Sequence, residues 1–214
     1  MIDAGLATPA TGVVVAGGRG RRFGDREKAL APLGGRPMLD HVVGRVGSVT
    51  GDVVVNCRAD QREAFAAALS DRARGVRFAV DERPDEGPLT GLRDAFRLVE
   101  TEYAVAVACD MPLVEPPSLA ALLERVPEGP CAVVPTTADG PEPLHAVYPV
   151  AETIEAAGAA LDDGERSLRA VLRRLPTREL DVASAAVGRR SLTSVDTPAD
   201  VAIAARRFDP VRSE

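Results

Sequence analysis

The chain has 214 residues, enough for one domain of ordinary to large size with a substantial core. Its net charge of −6 and its 3% aromatic content, with no tryptophan, argue against a general nucleic-acid-binding protein, because such a protein needs a basic surface or aromatic stacking platforms. Three widely spaced cysteines indicate neither a disulfide framework nor a zinc site, and two histidines are too few for a multi-histidine metal centre.

The sequence contains no pattern typical of a targeting or membrane-spanning segment. The first eleven residues lack a basic start and a long apolar stretch, and no apolar run of about 18 residues follows. We therefore expect a soluble, cytoplasmic protein that binds neither a membrane nor nucleic acid. We expect residues 1–207 to form a single domain and residues 208–214 to form a loose C-terminal tail.

The first predicted element is a buried parallel strand over 13–15, and a glycine-rich loop follows it directly. Gly17, Gly18 and Gly20 can adopt positive φ, which lets successive N–H groups turn inward around phosphate oxygens. The loop also carries five cationic side chains, on Arg19, Arg21, Arg22, Arg26 and Lys28. The pattern predicts a triphosphate-binding loop.

Two better-known phosphate loops do not fit this spacing. The P-loop requires a Gly-Lys pair, and the chain contains none. The dinucleotide fingerprint requires G-x-G-x-x-G, but Phe23 stands at the third glycine position and Gly24 comes one place late. Lys28 is the only lysine in the chain, which favours a need for a compact ammonium group beside the loop. A compositional accident is the alternative.

The rest of the chain alternates between apolar strand patterns and amphipathic helix patterns. Further strands are predicted over 52–56, 76–80, 103–109, 131–135, 144–150 and 192–196. Helices are predicted over 37–46, 60–69, from the polar loop 81–91 to about 99, over 118–126, 153–161 and 167–175, and from about 198. Repeated βα units with short connections predict a three-layer, doubly wound, mostly parallel α/β sheet.

Two aspartates follow predicted strands. Asp110 comes directly after the apolar run 103–109, so it should lie at the carboxyl edge of the sheet, where ligands bind in open α/β folds. Its carboxylate could hold Mg²⁺ against the phosphates, or it could merely cap the turn before Pro112. Asp196 ends the last predicted strand and could reach the same metal, or it could belong to the N-cap of the last helix.

Other polar side chains could select the base and the second substrate. Asn56 and Asp81 end the second and third predicted strands, where an amide and a carboxylate could bind a nucleobase. A carboxylate suits guanine, because N1–H and the exocyclic amine of guanine are both donors. Either residue could instead cap a loop. For His145 two alternatives are left open: it contacts a second substrate, or it lies on the surface in contact with solvent.

Taken together, these motifs resemble those of the molybdenum cofactor guanylyltransferase family. Ala16-Gly17-Gly18 with Arg22 and Lys28 resembles the first nucleotidyltransferase motif. The other matching segments are Asn56 after the second strand, Asp81 with Gly-Pro-Leu-Thr-Gly at 87–91 (D…GPLAG in the family), and Cys-Asp-Met-Pro at 109–112 (C-D-x-P).

One segment departs from the family pattern. The family usually has N-x-N-T-P-E-D near its end, whereas this chain has Ser-Val-Asp-Thr-Pro-Ala-Asp at 194–200. An aspartate at the second asparagine position, here Asp196, is more like the related cytidylyltransferases. The departure leaves the choice of base open.

The resemblance implies a Rossmann-like nucleotidyltransferase fold and transfer of GMP from GTP to molybdopterin, with release of pyrophosphate. It implies catalytic roles for Lys28, Arg22 and Asp110, and Mg²⁺ held by Asp110 and Asp196. Nucleotide binding is implied for Ala16, Gly17, Gly18, Lys28, Asn56, Asp81 and Asp110. The expected partners are GTP, molybdopterin or a similar phosphorylated acceptor, and molybdoenzymes or other cofactor-pathway proteins.

Other functions fit the same motifs. Cytidylyl transfer to molybdopterin and guanylyl transfer to adenosylcobinamide phosphate use the same chemistry on a different base or acceptor. A non-catalytic GTP-binding adaptor is a further alternative, because a fold alone does not settle function. The presence of both Lys28 and Asp110 argues against an adaptor.

Overall fold

The computed structural model describes residues 8–18, 23, 27–81, 87–182 and 187–208. Within these ranges an eight-stranded sheet and a separate two-stranded hairpin form. The strands are β1 (Ala10–Val15), β2 (Pro32–Leu33), β3 (Arg36–Pro37), β4 (Val53–Cys57), β5 (Val76–Val80), β6 (Tyr103–Ala108), β7 (Ala132–Thr137), β8 (Gly140–Pro141), β9 (His145–Pro149) and β10 (Thr177–Asp181).

Helices cover both faces of the sheet. In chain order they are α1 (Met38–Thr50), α2 (Arg62–Ala68), α3 (Pro88–Phe96), α4 (Pro116–Leu123), α5 (Val150–Asp162), α6 (Leu168–Leu172) and α7 (Pro198–Ala205). Short 3₁₀ turns lie at Lys28–Leu30, Ser70–Arg72 and Arg189–Leu192. Local signals set some of the helix ends: Gly51, with φ of 79°, ends α1, and a capping box of Thr197 and Asp200 starts α7.

The strand order positions the predicted site residues at one edge of the sheet. The order is β10-β7-β9-β6-β1-β4-β5, and β6, β1, β4 and β5 run parallel. Val15 pairs with Asn56 in β4 and with Ala108 in β6, so the three strands end at the same level. The chain leaves all of them at the carboxyl edge, where ligands bind in open α/β folds.

The central strands are buried on both faces, which explains their nearly continuous apolar sequences. Val14 of β1 packs in a cluster with Leu39 of α1 and other residues on one face. Val13 packs with Leu92 of α3 and Ala157 of α5 on the other. The predicted three-layer, mostly parallel α/β fold is therefore confirmed.

The second half differs from the sequence prediction at several points, one of which is the edge strand β10, which was not among the predicted strands. Strand β9 runs antiparallel to β6 and β7, a direction that an apolar run does not encode. The predicted strand over 192–196 is wrong: its first residue, Leu192, ends a 3₁₀ turn, and Val195 is buried with Leu33 of the hairpin and Ala204 of α7. Its valine therefore packs outside the sheet.

The predicted tail begins too early. Phe208 packs against His41, with ring centroids 4.1 Å apart, and the Arg45 guanidinium lies 5.4 Å from its ring centroid. Phe208 thus belongs to the packed part of the chain, whereas residues 209–214 lie outside the described residues. Among the described helices, none has the length and apolar character needed to cross a membrane.

Candidate nucleotide-binding cleft

A cleft of about 420 Å³ lies at the carboxyl edge of the sheet. The loops that follow β1, β5 and β6 line it, together with Asn56 near the end of β4 and the first turn of α3. The structure brings together all seven residues for which nucleotide binding was expected: Ala16, Gly17, Gly18, Lys28, Asn56, Asp81 and Asp110. Arg22, the remaining expected catalytic residue, lies outside the described residues.

One end of the cleft holds a lysine between two carboxylates. Lys28 Nζ donates to Asp110 Oδ2 and to Asp196 Oδ1, each at 2.8 Å. The lysine side chain is 11% exposed, whereas those of Asp110 and Asp196 are 27% and 42% exposed. Burial by itself lowers the pKa of Lys28, but hydrogen bonds and charge from the two carboxylates outweigh it and raise the pKa above 10.5. Lys28 is therefore a fixed cation at neutral pH.

The same two carboxylates are suitable ligands for a divalent cation. Asp110 and Asp196 already hold one positive charge between them, and their oxygens are hard ligands of the kind Mg²⁺ prefers. Mg²⁺ is commonly bound by one or two carboxylates together with substrate phosphates. Within the described residues, no group of three or more His, Cys, Asp or Glu side chains could hold a metal. The pair therefore fits a cation that is shared with a phosphorylated ligand.

The other end of the cleft is formed by an amide and a carboxylate. Asn56 Nδ2 donates to Asp81 Oδ1 at 2.5 Å, so these two strand ends meet as expected. Asn56 is 1% exposed, and its Oδ1 has no hydrogen-bond partner within the described part of the chain. Both side chains thus present acceptor oxygens at this end, which suits a ligand that donates hydrogen bonds.

In the described part of the glycine loop, Gly17 is required for space rather than for positive φ, whereas a Cβ at Gly18 would meet no atom within 4 Å among the described residues. Gly17 and Gly18 do not have left-handed backbone angles, so the expected conformational reason is wrong for these two residues. A Cβ at position 17 would come within 2.5 Å of Asp81 Oδ2 and 3.0 Å of Asn56 Oδ1. Arg19, Gly20, Arg21 and Arg26 lie outside the described residues.

Sequence reasoning missed an arginine that holds the glycine loop. Arg58 Nη1 donates to the carbonyl oxygens of Gly17 and Gly18 at 3.0 and 3.1 Å, and Nη2 donates to Glu27 Oε2 at 3.3 Å. The arginine is 8% exposed. The sequence signal for this role is the position of Arg58 directly after β4, two residues beyond Asn56. Arg58 fixes the loop next to the cleft.

His145 does not have the expected surface position. It begins β9, is fully buried and does not line the cleft, so the surface position is wrong and the contact with a second substrate stays a prediction. Its Nε2 lies 3.3 Å from Ser191 Oγ, and burial lowers the pKa of His145 from 6.5 to about 4. The ring is neutral at pH 7 and belongs to the core.

Cys109 lines the cleft beside Asp110. Burial raises the pKa of its thiol well above the usual value, and the negative charge of Asp110 raises it further. Because a thiolate is the reactive form of cysteine, a thiol held in the protonated state is a poor nucleophile. Cys109 therefore contributes packing to the cleft wall.

The chain is similar to known proteins in sequence and in fold. A family model described as the MobA-like NTP transferase domain matches residues 12–180. A probable molybdenum cofactor guanylyltransferase of Haloferax mediterranei is 40% identical over 205 residues, which cover 94% of this chain and 96% of that protein. A molybdenum cofactor guanylyltransferase of Pseudomonas putida is 33% identical over 193 residues, which cover 89% of this chain and 94% of that protein.

A solved structure extends the similarity to the fold. Molybdopterin-guanine dinucleotide biosynthesis protein A from Archaeoglobus fulgidus superposes with a TM-score of 0.70 at 25% sequence identity. The match covers 92% of this chain and 97% of that one.

Proposed function

The chain belongs to the MobA-like NTP transferase family, and on that premise we propose that it transfers GMP from GTP to molybdopterin and releases pyrophosphate. The product is the guanine dinucleotide form of the cofactor. The observation that carries this proposal is a cleft with two chemically different ends. Lys28 and two carboxylates form one end, and the Asn56–Asp81 pair forms the other. A nucleoside triphosphate has matching phosphate and base ends.

The reaction is a single displacement at phosphorus. A phosphate oxygen of molybdopterin attacks the α-phosphorus of GTP and forms a new oxygen–phosphorus bond. The bond from the α-phosphorus to the oxygen that bridges to the β-phosphorus breaks, and pyrophosphate leaves with the electron pair. The attacking phosphate is already anionic, so neither a protein nucleophile nor a general base is needed. Catalysis then rests on alignment and on neutralisation of charge.

Lys28 is the residue that we assign to charge neutralisation. Its ammonium group is cationic at neutral pH and largely withdrawn from solvent. Electrostatic interactions at such a buried position are stronger than in water. It would balance the negative charge that develops on the departing pyrophosphate. Arg22 is proposed for the same task, and backbone N–H groups of the glycine loop would add further donors.

We propose Asp110 and Asp196 as the protein ligands of Mg²⁺. Both carboxylates contact the same Lys28 ammonium, which supports a shared cation site at the phosphate end of the cleft. When bound there, Mg²⁺ would neutralise phosphate charge. The preference for Mg²⁺ over other divalent cations remains part of the proposal.

Guanine is the base that best fits the other end. The Watson–Crick edge of guanine offers two adjacent donors, N1–H and the exocyclic amine. Asn56 Oδ1 and the Asp81 carboxylate can accept hydrogen bonds from such donors. Cytosine offers one amine donor on this edge, so it would leave an acceptor without a partner. The names of the relatives favour GTP as well.

A pyrophosphate-release assay separates an enzyme from an adaptor. The protein is incubated with GTP, Mg²⁺ and molybdopterin, and released pyrophosphate is measured with and without the acceptor. We expect release that depends on molybdopterin. An adaptor would bind GTP without turnover, and that result would contradict the proposed function. Cytoplasmic location and association with molybdoenzymes or other cofactor-pathway proteins stay predictions.

A further inference from the structure

A buried hydroxyl group of the cleft has no hydrogen-bond partner among the described residues. Thr90 is the third residue of α3, lines the cleft and is 2% exposed. No hydrogen-bond partner of its Oγ1 occurs in the part of the chain that the structure describes. A threonine in a helix commonly donates to a carbonyl group in the preceding turn, and a buried hydroxyl without any partner is costly. An unpartnered hydroxyl in a cleft is therefore a candidate ligand contact.

A second unpartnered group lies in the same cleft. Asn56 Oδ1 is buried and lacks a partner among the described residues, and Asn56 also lines the cleft. Gly91, the residue after Thr90, packs directly against this amide, because a Cβ at position 91 would collide with Asn56 Oδ1. The first turn of α3 and the end of β4 thus bring an available donor and an available acceptor to one place.

The Thr90 hydroxyl, a donor, and Asn56 Oδ1, an acceptor, match neighbouring groups on the Watson–Crick edge of guanine. On this edge O6, an acceptor, stands beside the N1–H donor, and the exocyclic amine follows. Asn56 and Asp81 supply acceptors for the donors, so a donor is still needed for O6. Resting on the proposed function, we propose that the Thr90 hydroxyl donates a hydrogen bond to O6 of the bound guanine base. The family motif has alanine at this position, so the contact would be a specificity contact of this chain.

Thr90→Val tests the hydroxyl while it keeps the shape of the side chain. The affinity for GTP is measured by calorimetry in the presence of Mg²⁺, and the midpoint of thermal unfolding is measured without nucleotide. We expect Thr90→Val to bind GTP about fivefold to tenfold more weakly than the parent. The unfolding midpoint should not fall, since no hydrogen bond to the described residues is lost. Thr90→Ser retains the hydroxyl and should bind GTP like the parent.

Thr153→Val is a matched control. Thr153 also lies in the first turns of a helix, α5, and is fully buried, but its hydroxyl donates to Pro149 O at 2.5 Å. We expect Thr153→Val to lower the unfolding midpoint and to leave the affinity for GTP unchanged. If Thr90→Val does not fold, Thr90→Ala, which carries the family residue, replaces it in every comparison.

A nucleotide analogue locates the contact on the base. The triphosphate of 2-aminopurine riboside lacks both O6 and N1–H, so it should bind more weakly than GTP to both proteins, but the parent and Thr90→Val should bind it equally. An equal loss for the analogue and for GTP would place the contact elsewhere on the nucleotide and overturn the assignment to O6. Unchanged affinity for GTP in Thr90→Val would overturn the inference altogether. Failure of the proposed function is distinguishable, because the unaltered protein would then release no pyrophosphate from GTP with molybdopterin, whereas failure of this inference alone leaves that reaction intact.

Discussion

Replacing Lys28 tests the electrostatic account of the phosphate end. Lys28→Met keeps the length of the side chain and removes its charge, whereas Lys28→Arg keeps the charge and changes its shape. At 2.8 Å and an effective dielectric constant of about 20, each carboxylate contact has a Coulomb energy of roughly 6 kcal/mol before desolvation. Because Asp196 is 42% exposed, its net contribution is much smaller, on the order of 1 kcal/mol.

The expected effect on turnover is larger than the effect on folding. Lys28→Met should lose on the order of a hundredfold to a thousandfold in turnover, as other enzymes do when a donor that stabilises the transition state is removed. Its free energy of unfolding should fall by only about 1 to 2 kcal/mol, because two partly exposed carboxylates are left facing each other. Lys28→Arg should lose about tenfold or more, since a planar fork displaces the phosphates from their position.

The assay is pyrophosphate release with GTP, Mg²⁺ and molybdopterin, with circular dichroism as the folding control. Arg77→Met provides a control with the same change of net charge outside the cleft. Arg77 is 40% exposed and pairs with Glu100, so its variant should react at the parent rate. A folded Lys28→Met variant with near-normal turnover would refute the reasoning and leave the single lysine as a compositional accident.

Three further predictions follow from named side chains. Asp110→Asn should stay folded and lose on the order of a hundredfold in turnover, because Mg²⁺ depends on carboxylate charge; an unchanged rate and Mg²⁺ dependence of pyrophosphate release would remove Asp110 from the mechanism. Asp81→Asn should lose about 1–3 kcal/mol of GTP binding in competition experiments, since an acceptor is replaced by a donor; retention of the parent preference for GTP over CTP would contradict this role. Burial lowers the pKa of His145 to about 4 from 6.5, so the unfolded chain takes up this proton first as the pH falls. The free energy of unfolding should therefore drop by about 2 kcal/mol more between pH 7 and pH 5 in the parent than in His145→Gln, as measured by denaturant titration; equal slopes would show that His145 does not titrate in this way.

The first half of the fold could be predicted because its signals are local. Val13–Val15 form a short β-branched run, and the apolar run 103–109 stops abruptly at Asp110, so both strands and their shared carboxyl edge follow from the sequence. The meeting of Asn56 and Asp81 also follows, since both stand at the ends of parallel strands. Their proximity depends on the direction and order of the strands, and repeated βα units largely determine both.

Other features depend on contacts between distant segments. Val195 fits a strand pattern, yet its side chain is buried against the hairpin and α7, and this placement brings Asp196 to Lys28. Arg58 holds Gly17 and Gly18 from about 40 residues away in the chain. No local pattern encodes either contact. The strand over 144–150 was predicted from its apolar residues, but its antiparallel place between β6 and β7, which buries His145, depends on the order of distant strands.

The product of the reaction tests the central claim most directly. The protein is incubated with molybdopterin, Mg²⁺ and each of the four nucleoside triphosphates in turn, and the cofactor is then analysed by mass spectrometry. We predict that GTP gives a product heavier than molybdopterin by one GMP unit and that the other triphosphates give little or none. A CMP adduct formed in preference to the GMP adduct would contradict the guanylyl assignment and would show that Asp196 was the better guide to the base.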